Sequence, residues 1–269
     1  MMSAIKMLQR SKYYESMEHM RDISGGTQRS SNVVHLSCGW VTGSWLLRFI
    51  LAGLLMSLAS SMALAGCGQS PGHNMDWSGC LKMHKYLVGH DLRGANFERT
   101  NLMQSNLMGA DLTNSILRKA DLTKTVLRNA KLAHANLNGA YGARAYMDRA
   151  SFHKASLQKV ELPRANLTAA DLSGANLSGA QFYRGVFEGA NMDGVMAKYA
   201  NFSRADLRLT SLVGTDFTLA YLYRTRLEGV DLSKTKGLTQ EQLVLSCGDK
   251  ETKLPPGLTA PAGWPCKFG

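Results

Sequence analysis

The chain is short of proline, with six in 269 residues, while its apolar and charged contents are ordinary, which excludes a disordered low-complexity polymer. It also lacks the marks of chemistry. His73, His84, His90, His134 and His153 are scattered, with no pair at metal-ligand spacing beside a further donor. No serine stands in a nucleophile elbow, and no glycine-rich loop is placed to cradle phosphate. Catalysis, a cofactor and a metal are therefore not expected. From His90 to Leu232 both ordinary periods are missing as well, 3.6 for a helix and 2.0 for a strand.

What replaces them is a period of five without insertion or deletion. Reading every fifth residue from Leu92 to Leu232 gives 29 positions, of which 27 are Leu, Phe or Met; Gly142 and Ala197 interrupt the column. Two residues earlier sits a small side chain, as in Ala95, Ser105, Ala110 and Ala165, and between the two lies Asp or Asn, as in Asn96, Asp111 and Asp171. A short fixed period means stacked units that bury their apolar residues only against one another. Large and small columns then share one narrow interior.

Units such as Thr-Asn-Leu-Met-Gln (100–104) and Ala-Asp-Leu-Ser-Gly (170–174) resemble the pentapeptide-repeat family. That resemblance implies an all-β fold, a right-handed quadrilateral β-helix with four units, hence twenty residues, per coil. At strand spacing about seven coils make a rod about 35 Å long, and each buried Leu or Phe contributes roughly 2 kcal/mol. Counting back in fives puts Leu87, Lys82 and Trp77 in the large column and Cys80 in the small one.

Ahead of the repeats, an uncharged run from Phe49 to Gly66 follows Trp45-Leu46-Leu47-Arg48 and reads as a secretory signal peptide. An uncleaved anchor, or cleavage after Ala63-Leu64-Ala65, are the other readings. The run ends in Leu64-Ala65-Gly66-Cys67, which resembles a bacterial lipobox and implies a diacylglycerol on Cys67. Gly68 after the cysteine is compatible with sorting to the outer membrane. The expected location is thus the bacterial cell envelope, with a lipid-anchored rod facing the periplasm. Since the first 44 residues exceed a signal's needs, Met20 is a candidate true start. Domain boundaries fall at 1–66 for the extension and signal, 67–76 for a linker, 77–234 for the β-helix and 235–269 for a C-terminal cap.

The cap announces itself by a change of pattern. Thr239, with Gln242 three residues on, forms a capping box before a short helix whose Leu238, Leu243, Val244 and Leu245 would cover the last coil, and a Pro-rich tail follows. In an oxidising compartment Cys247 and Cys266 are the natural disulfide pair, worth roughly 3 kcal/mol by chain entropy. Cys80 is then left over as a packed small residue.

Because the inner columns are structural, function must lie on the outward pair of each unit. The formal charge is +11, and residues 1–66 carry only about three of it. On one outward face Lys124, Arg144, Arg164, Arg184, Arg204 and Arg224 recur once per coil, a file about 24 Å long with neighbours about 5 Å apart. Like charges at that spacing repel by about 0.8 kcal/mol per pair in water. Asp148, Glu188 and Glu228, each four residues after an Arg, would partly neutralise the file if it is merely structural. Tyr141, Tyr183, Tyr221 and Tyr223 share its face and suit phosphate or sugar-acid recognition. The reading is a non-enzymatic envelope scaffold, with anionic lipid, lipopolysaccharide or an acidic glycan as the candidate partner of the file. Nucleic acid is not an expected partner of an exported protein. The alternatives are a cytoplasmic inhibitor of a nucleic-acid enzyme and an inert spacer.

Overall fold

A computed structural model describes residues 65–266; the signal segment and the proposed early start lie outside the described residues. From Asp76 to Lys236 the Asp/Asn column of each coil bridges in parallel to the residue twenty positions later: Asp76 to Asn96, Asn96 to Ile116, and on to Asp216 with Lys236. Each contact is a single bridging residue, so the sides never lengthen into regular strands. The corner is the reason. Of five residues, two form a turn, closed for instance by the Ala95 N–H donating to the Leu92 carbonyl (3.1 Å), and the second turn residue has positive φ, +66° at Gly94. The Asp or Asn serves this corner directly: Asn96 Oδ1 accepts from the Glu98 N–H at 3.0 Å and Asp171 Oδ1 from the Ser173 N–H at 3.0 Å, which is why short acceptor side chains fill the column.

The interior is dry and filled. Trp77, Leu87 and the column onward from Leu92 are buried, and Phe182, Phe187, Phe202 and Phe217 pack ring against ring, with Phe182 and Phe202 stacked at 5.7 Å. Gly142 leaves no hole, because a Cβ there would stand 2.6 Å from Leu162 Cδ2 and 3.2 Å from Leu122 Cβ. Where the small column carries a hydroxyl, it reaches the coil before it: Thr100 Oγ1 donates to the Trp77 carbonyl (2.6 Å), Thr125 to Leu102 (2.9 Å) and Thr225 to Phe202 (2.8 Å). Ser115 is the exception, a buried hydroxyl with no partner.

Both ends are stapled, and the first staple uses the cysteine expected to carry the lipid. A 3-10 turn at Ala65–Gly68 brings Cys67 to Cys80, and the two form a disulfide with Cα atoms 5.6 Å apart. A sulfur in a disulfide cannot also carry a thioether-linked lipid, so the two are alternative uses of Cys67, and in the disulfide form Cys80 is not left over. The stretch 67–76 is correspondingly a folded cap and not a free linker. Trp77 Nε1 donates to the Gln69 carbonyl (3.0 Å), the Asp76 N–H to Gln69 Oε1 (2.8 Å), and the Lys82 ammonium lies 4.0 Å over the Trp77 ring while donating to the Cys67 carbonyl. Burial, followed by the neighbouring Lys85, pushes the Lys82 pKa down.

At the other end the register slips, Arg226 bridging to Cys247 and Asp231 to Lys253, as helix α1 (Gln240–Leu245) is inserted. Its capping box is formed, and Gln242 Nε2 also donates to the carbonyls of Phe217 (2.9 Å) and Ala220 (2.8 Å), which docks the helix on the last coil. Leu243 is buried there, but Val244 points outward at 62 % exposure and takes no part in the cover. Cys247 and Cys266 close the tail with a second disulfide, and Trp264 Nε1 donates to the Ser246 carbonyl at 2.9 Å.

Replacing Ser115 by Ala removes a buried hydroxyl that nothing satisfies and restores the commonest residue of its column. It should stabilise the rod by about 1 kcal/mol, whereas Thr125→Val, which discards a made bond, should destabilise it by about 1 kcal/mol. Denaturant unfolding of both variants measures the difference, and equal effects would contradict this account of the small column.

Candidate functional site

The corner that builds the coil also places the cations. Each side ends in a turn whose second residue is left-handed, and Lys124, Arg144, Arg164, Arg184, Arg204 and Arg224 all occupy that slot, with φ between +53° and +58°. Their N–H groups hold the register: Lys124 donates to the Ala143 carbonyl (3.0 Å), Arg164 to Tyr183 (3.0 Å), Arg204 to Tyr223 (2.8 Å) and Arg224 to Leu245 in the cap (2.6 Å). The twenty-residue step never changes between Lys124 and Arg224, so the six stand in one file along one corner. Five are exposed and Arg224 is half-buried.

A left-handed conformation costs an ordinary side chain about 1–2 kcal/mol, and glycine escapes that cost. Each of the other three corner files uses it repeatedly: Gly79, Gly139 and Gly179 in one, Gly89, Gly109 and Gly189 in the next, Gly174, Gly194 and Gly214 in the third. The cationic file contains none, since the slots before Lys124 hold His84 and Gln104. The slot therefore explains where these residues are and not why they are long and charged.

Nor are they neutralised. Among the described residues none of the six makes an ion pair. The carboxylates expected to offset them are engaged elsewhere. Asp148 bonds Arg128 at 3.0 Å and Glu228 bonds Arg226 at 3.5 Å, while Glu188 acts on Arg208, whose pKa is raised first by its hydrogen bonds to Asp206 and further by the charges of Asp206, Glu188 and Glu228. These acids stand in their own file beyond the corner, which reads Arg128, Asp148, Thr168, Glu188, Arg208, Glu228, with both signs interleaved. Twenty-residue arithmetic could have found that partnership from the sequence. Burial raises the Asp206 pKa, but the Arg208 hydrogen bonds and the Arg226 charge win and hold it below the usual carboxylate range.

The residue just before each cation forms a lane of its own: Thr123, Ala143, Pro163, Tyr183, Ser203 and Tyr223, without a charge. Tyr183 and Tyr223 stand two coils apart in this lane, both partly exposed, and Tyr221 stacks on Tyr223 with ring centres 6.2 Å apart. Tyr141 lies farther down the same face, at 43 % exposure. The corner thus presents a continuous row of donors beside a neutral shelf with aromatic surfaces, an arrangement able to hold anions and without any nucleophile or acid–base pair. Arg128 over the Tyr146 ring, at 5.2 Å, is an aromatic contact that column reading missed. His134 and His153 meet edge to face at 6.0 Å, His153 Nδ1 lies 2.8 Å from Ser173 Oγ, and no group of three or more metal-binding side chains occurs among the described residues.

Comparison with known proteins bears on the fold. No protein of curated function matches the chain. A family model of pentapeptide repeats in eight copies matches residues 91–129, 105–141, 125–162, 161–196 and 200–236, together just over half of the chain. Among solved structures, HetL, a pentapeptide repeat protein involved in heterocyst differentiation regulation from the cyanobacterium Nostoc sp., is 27 % identical over 75 % of this chain and 96 % of its own, with a TM-score of 0.36. QnrB1, a plasmid-mediated fluoroquinolone resistance protein, is 15 % identical over 68 % of this chain and 92 % of its own, with a TM-score of 0.54, a likeness of fold alone. With its five-residue columns matched over 91–196 and 200–236, the chain belongs to the pentapeptide-repeat family.

Proposed function

We propose that the protein is a non-enzymatic, exported scaffold whose Lys124–Arg224 file binds anionic components of the cell envelope. One observation carries this reading: six cations stacked in one file without a counter-charge, while acids within reach of the same corner pair with other arginines. Uncompensated like charges are stabilised by an anion supplied from outside. Export is supported by the two disulfides, which persist in oxidising compartments and are rare in the cytosol. The same disulfides weigh against the cytoplasmic inhibitor, and the basic file weighs against an inert spacer. Retention at the membrane then falls to the charged corner and not to a lipid on Cys67.

Two measurements test this. Expressed with its own leader in a bacterium that has an oxidising periplasm, the mature protein should leave the cell membrane under high salt, with an intact mass four hydrogens below the reduced chain. A diacylglyceryl mass on Cys67 would instead restore the lipid anchor and contradict the disulfide form. Arg164→Gln, Arg184→Gln and Arg204→Gln together should weaken binding to anionic phospholipid vesicles or lipopolysaccharide about a hundredfold at low salt, at about 1 kcal/mol per charge, with a shallower salt dependence. Unchanged binding would reject the file as a binding surface.

A further inference from the structure

Resting on that reading, we infer that the ligand of the file is a linear polymer of carboxylated sugars lying parallel to the rod axis, with one uronate per coil. The first ground is repetition. Parallel bridges advance one coil per twenty residues, so the cation-bearing positions repeat at strand spacing, about 4.8 Å, for about 24 Å along one corner. A compact anion meets two or three of them at most, whereas a chain with one negative group per coil meets all six. Extended linked pyranose units advance by roughly one strand spacing each, so the long, exposed Arg side chains can follow carboxylates that turn about the sugar chain.

The second ground is the donor. Five of the six are Arg, whose planar fork takes a carboxylate through two parallel hydrogen bonds, a geometry that the Lys ammonium does not offer. The third is the neighbouring lane. Thr123, Ala143, Tyr183, Ser203 and Tyr223 offer sugar rings an uncharged surface at five of the six rungs, Pro163 being buried, and Tyr183 and Tyr223 are exposed enough for a ring to pack on them. A single nucleic-acid strand would need a stacking face at each nucleotide, but aromatic residues recur here only at every second coil or less. A bilayer spreads its headgroups over a plane, so it can bind the file but does not match a single row with one charge per coil.

Calorimetry with galacturonate oligomers of two to eight units tests the inference. Affinity should rise about two- to fivefold per added unit and level off near six, where the file ends, and neutral galactose oligomers of the same lengths should not bind. Tyr183→Ala should lower hexamer affinity while leaving binding to anionic vesicles unchanged. Affinity independent of length, or a single-stranded oligonucleotide of equal charge binding more tightly than the hexamer, would overturn it. If the triple Arg→Gln variant loses vesicle binding but the oligomers show no length dependence, the sugar-polymer inference fails and the anion-binding scaffold stands. If neither vesicles nor oligomers bind the unmodified protein, both fail.

Discussion

One backbone contact governs the rest of the molecule: the N–H of a large-column residue donates to the carbonyl nineteen positions on, as Leu92 to Asp111 at 2.8 Å and Leu167 to Val186 at 2.7 Å. A reciprocal bond runs back from the Asp/Asn column, as Asn166 to Ala145 at 2.9 Å. Each is worth about 1 kcal/mol net, and four sides per coil multiply it. Registers of nineteen or twenty-one would carry the Leu column onto the corner and the corner into the core, so the interior and the hydrogen bonds enforce the same step. The register slips where the core ends, by one residue between Arg226 and Cys247 and by two between Asp231 and Lys253, because there α1 and not another coil supplies the cover.

That coupling explains what could be read without coordinates. The Leu and Ala columns, Trp77 and Lys82 within them and the capping box of Thr239 and Gln242 were legible, since each follows from local pattern alone. The file of six cations was legible as a placement because the corner repeats at the same step as the core. The disulfide of Cys67 was not. The five-residue period puts Cys80 in the small column but is silent about the path of the chain before Met75, and the Leu-Ala-Gly-Cys run points to a different use of the same sulfur. Ion pairing was missed for another reason: carboxylates were assigned by nearness in sequence, whereas Arg128 and Asp148 meet because they are twenty apart.

The ends show how an open solenoid is closed. A coil edge leaves unpaired backbone donors and acceptors that invite aggregation. At the C-terminal end Arg224, Leu227 and Leu232 donate to Leu245, Cys247 and Lys253, and the Cys247–Cys266 disulfide ties that cover down. At the N-terminal end the Cys67–Cys80 disulfide and Gln69 secure one side of the first coil. Leu81 and Tyr86, on the next two sides, stay 77 % and 73 % exposed. Among the described residues the rod is therefore asymmetric, more completely covered at its C-terminal end than at its N-terminal end.

Two neighbouring files of the same solenoid, built at the same spacing, treat charge in opposite ways. In one, Arg128, Asp148, Glu188, Arg208 and Glu228 mix signs, so that Asp148 lies against Arg128 and Arg208 takes its field from carboxylates on either side. In the other, six consecutive coils carry the same sign, with no acid in the file and none bonded to it. Stacking alone cannot account for both, because stacking imposes the spacing and leaves the choice of side chain open. The corner conformation does not account for the second either, since glycine meets that demand in each of the other three files. What distinguishes the cationic file is therefore the choice of side chain and not a demand of the backbone. A stiff backbone suits the proposed binding: with the core filled and the backbone N–H groups of the file committed along the stack, the positions that carry the cations are held at a spacing that a flexible basic tail could not keep, and little backbone ordering remains for a ligand to impose.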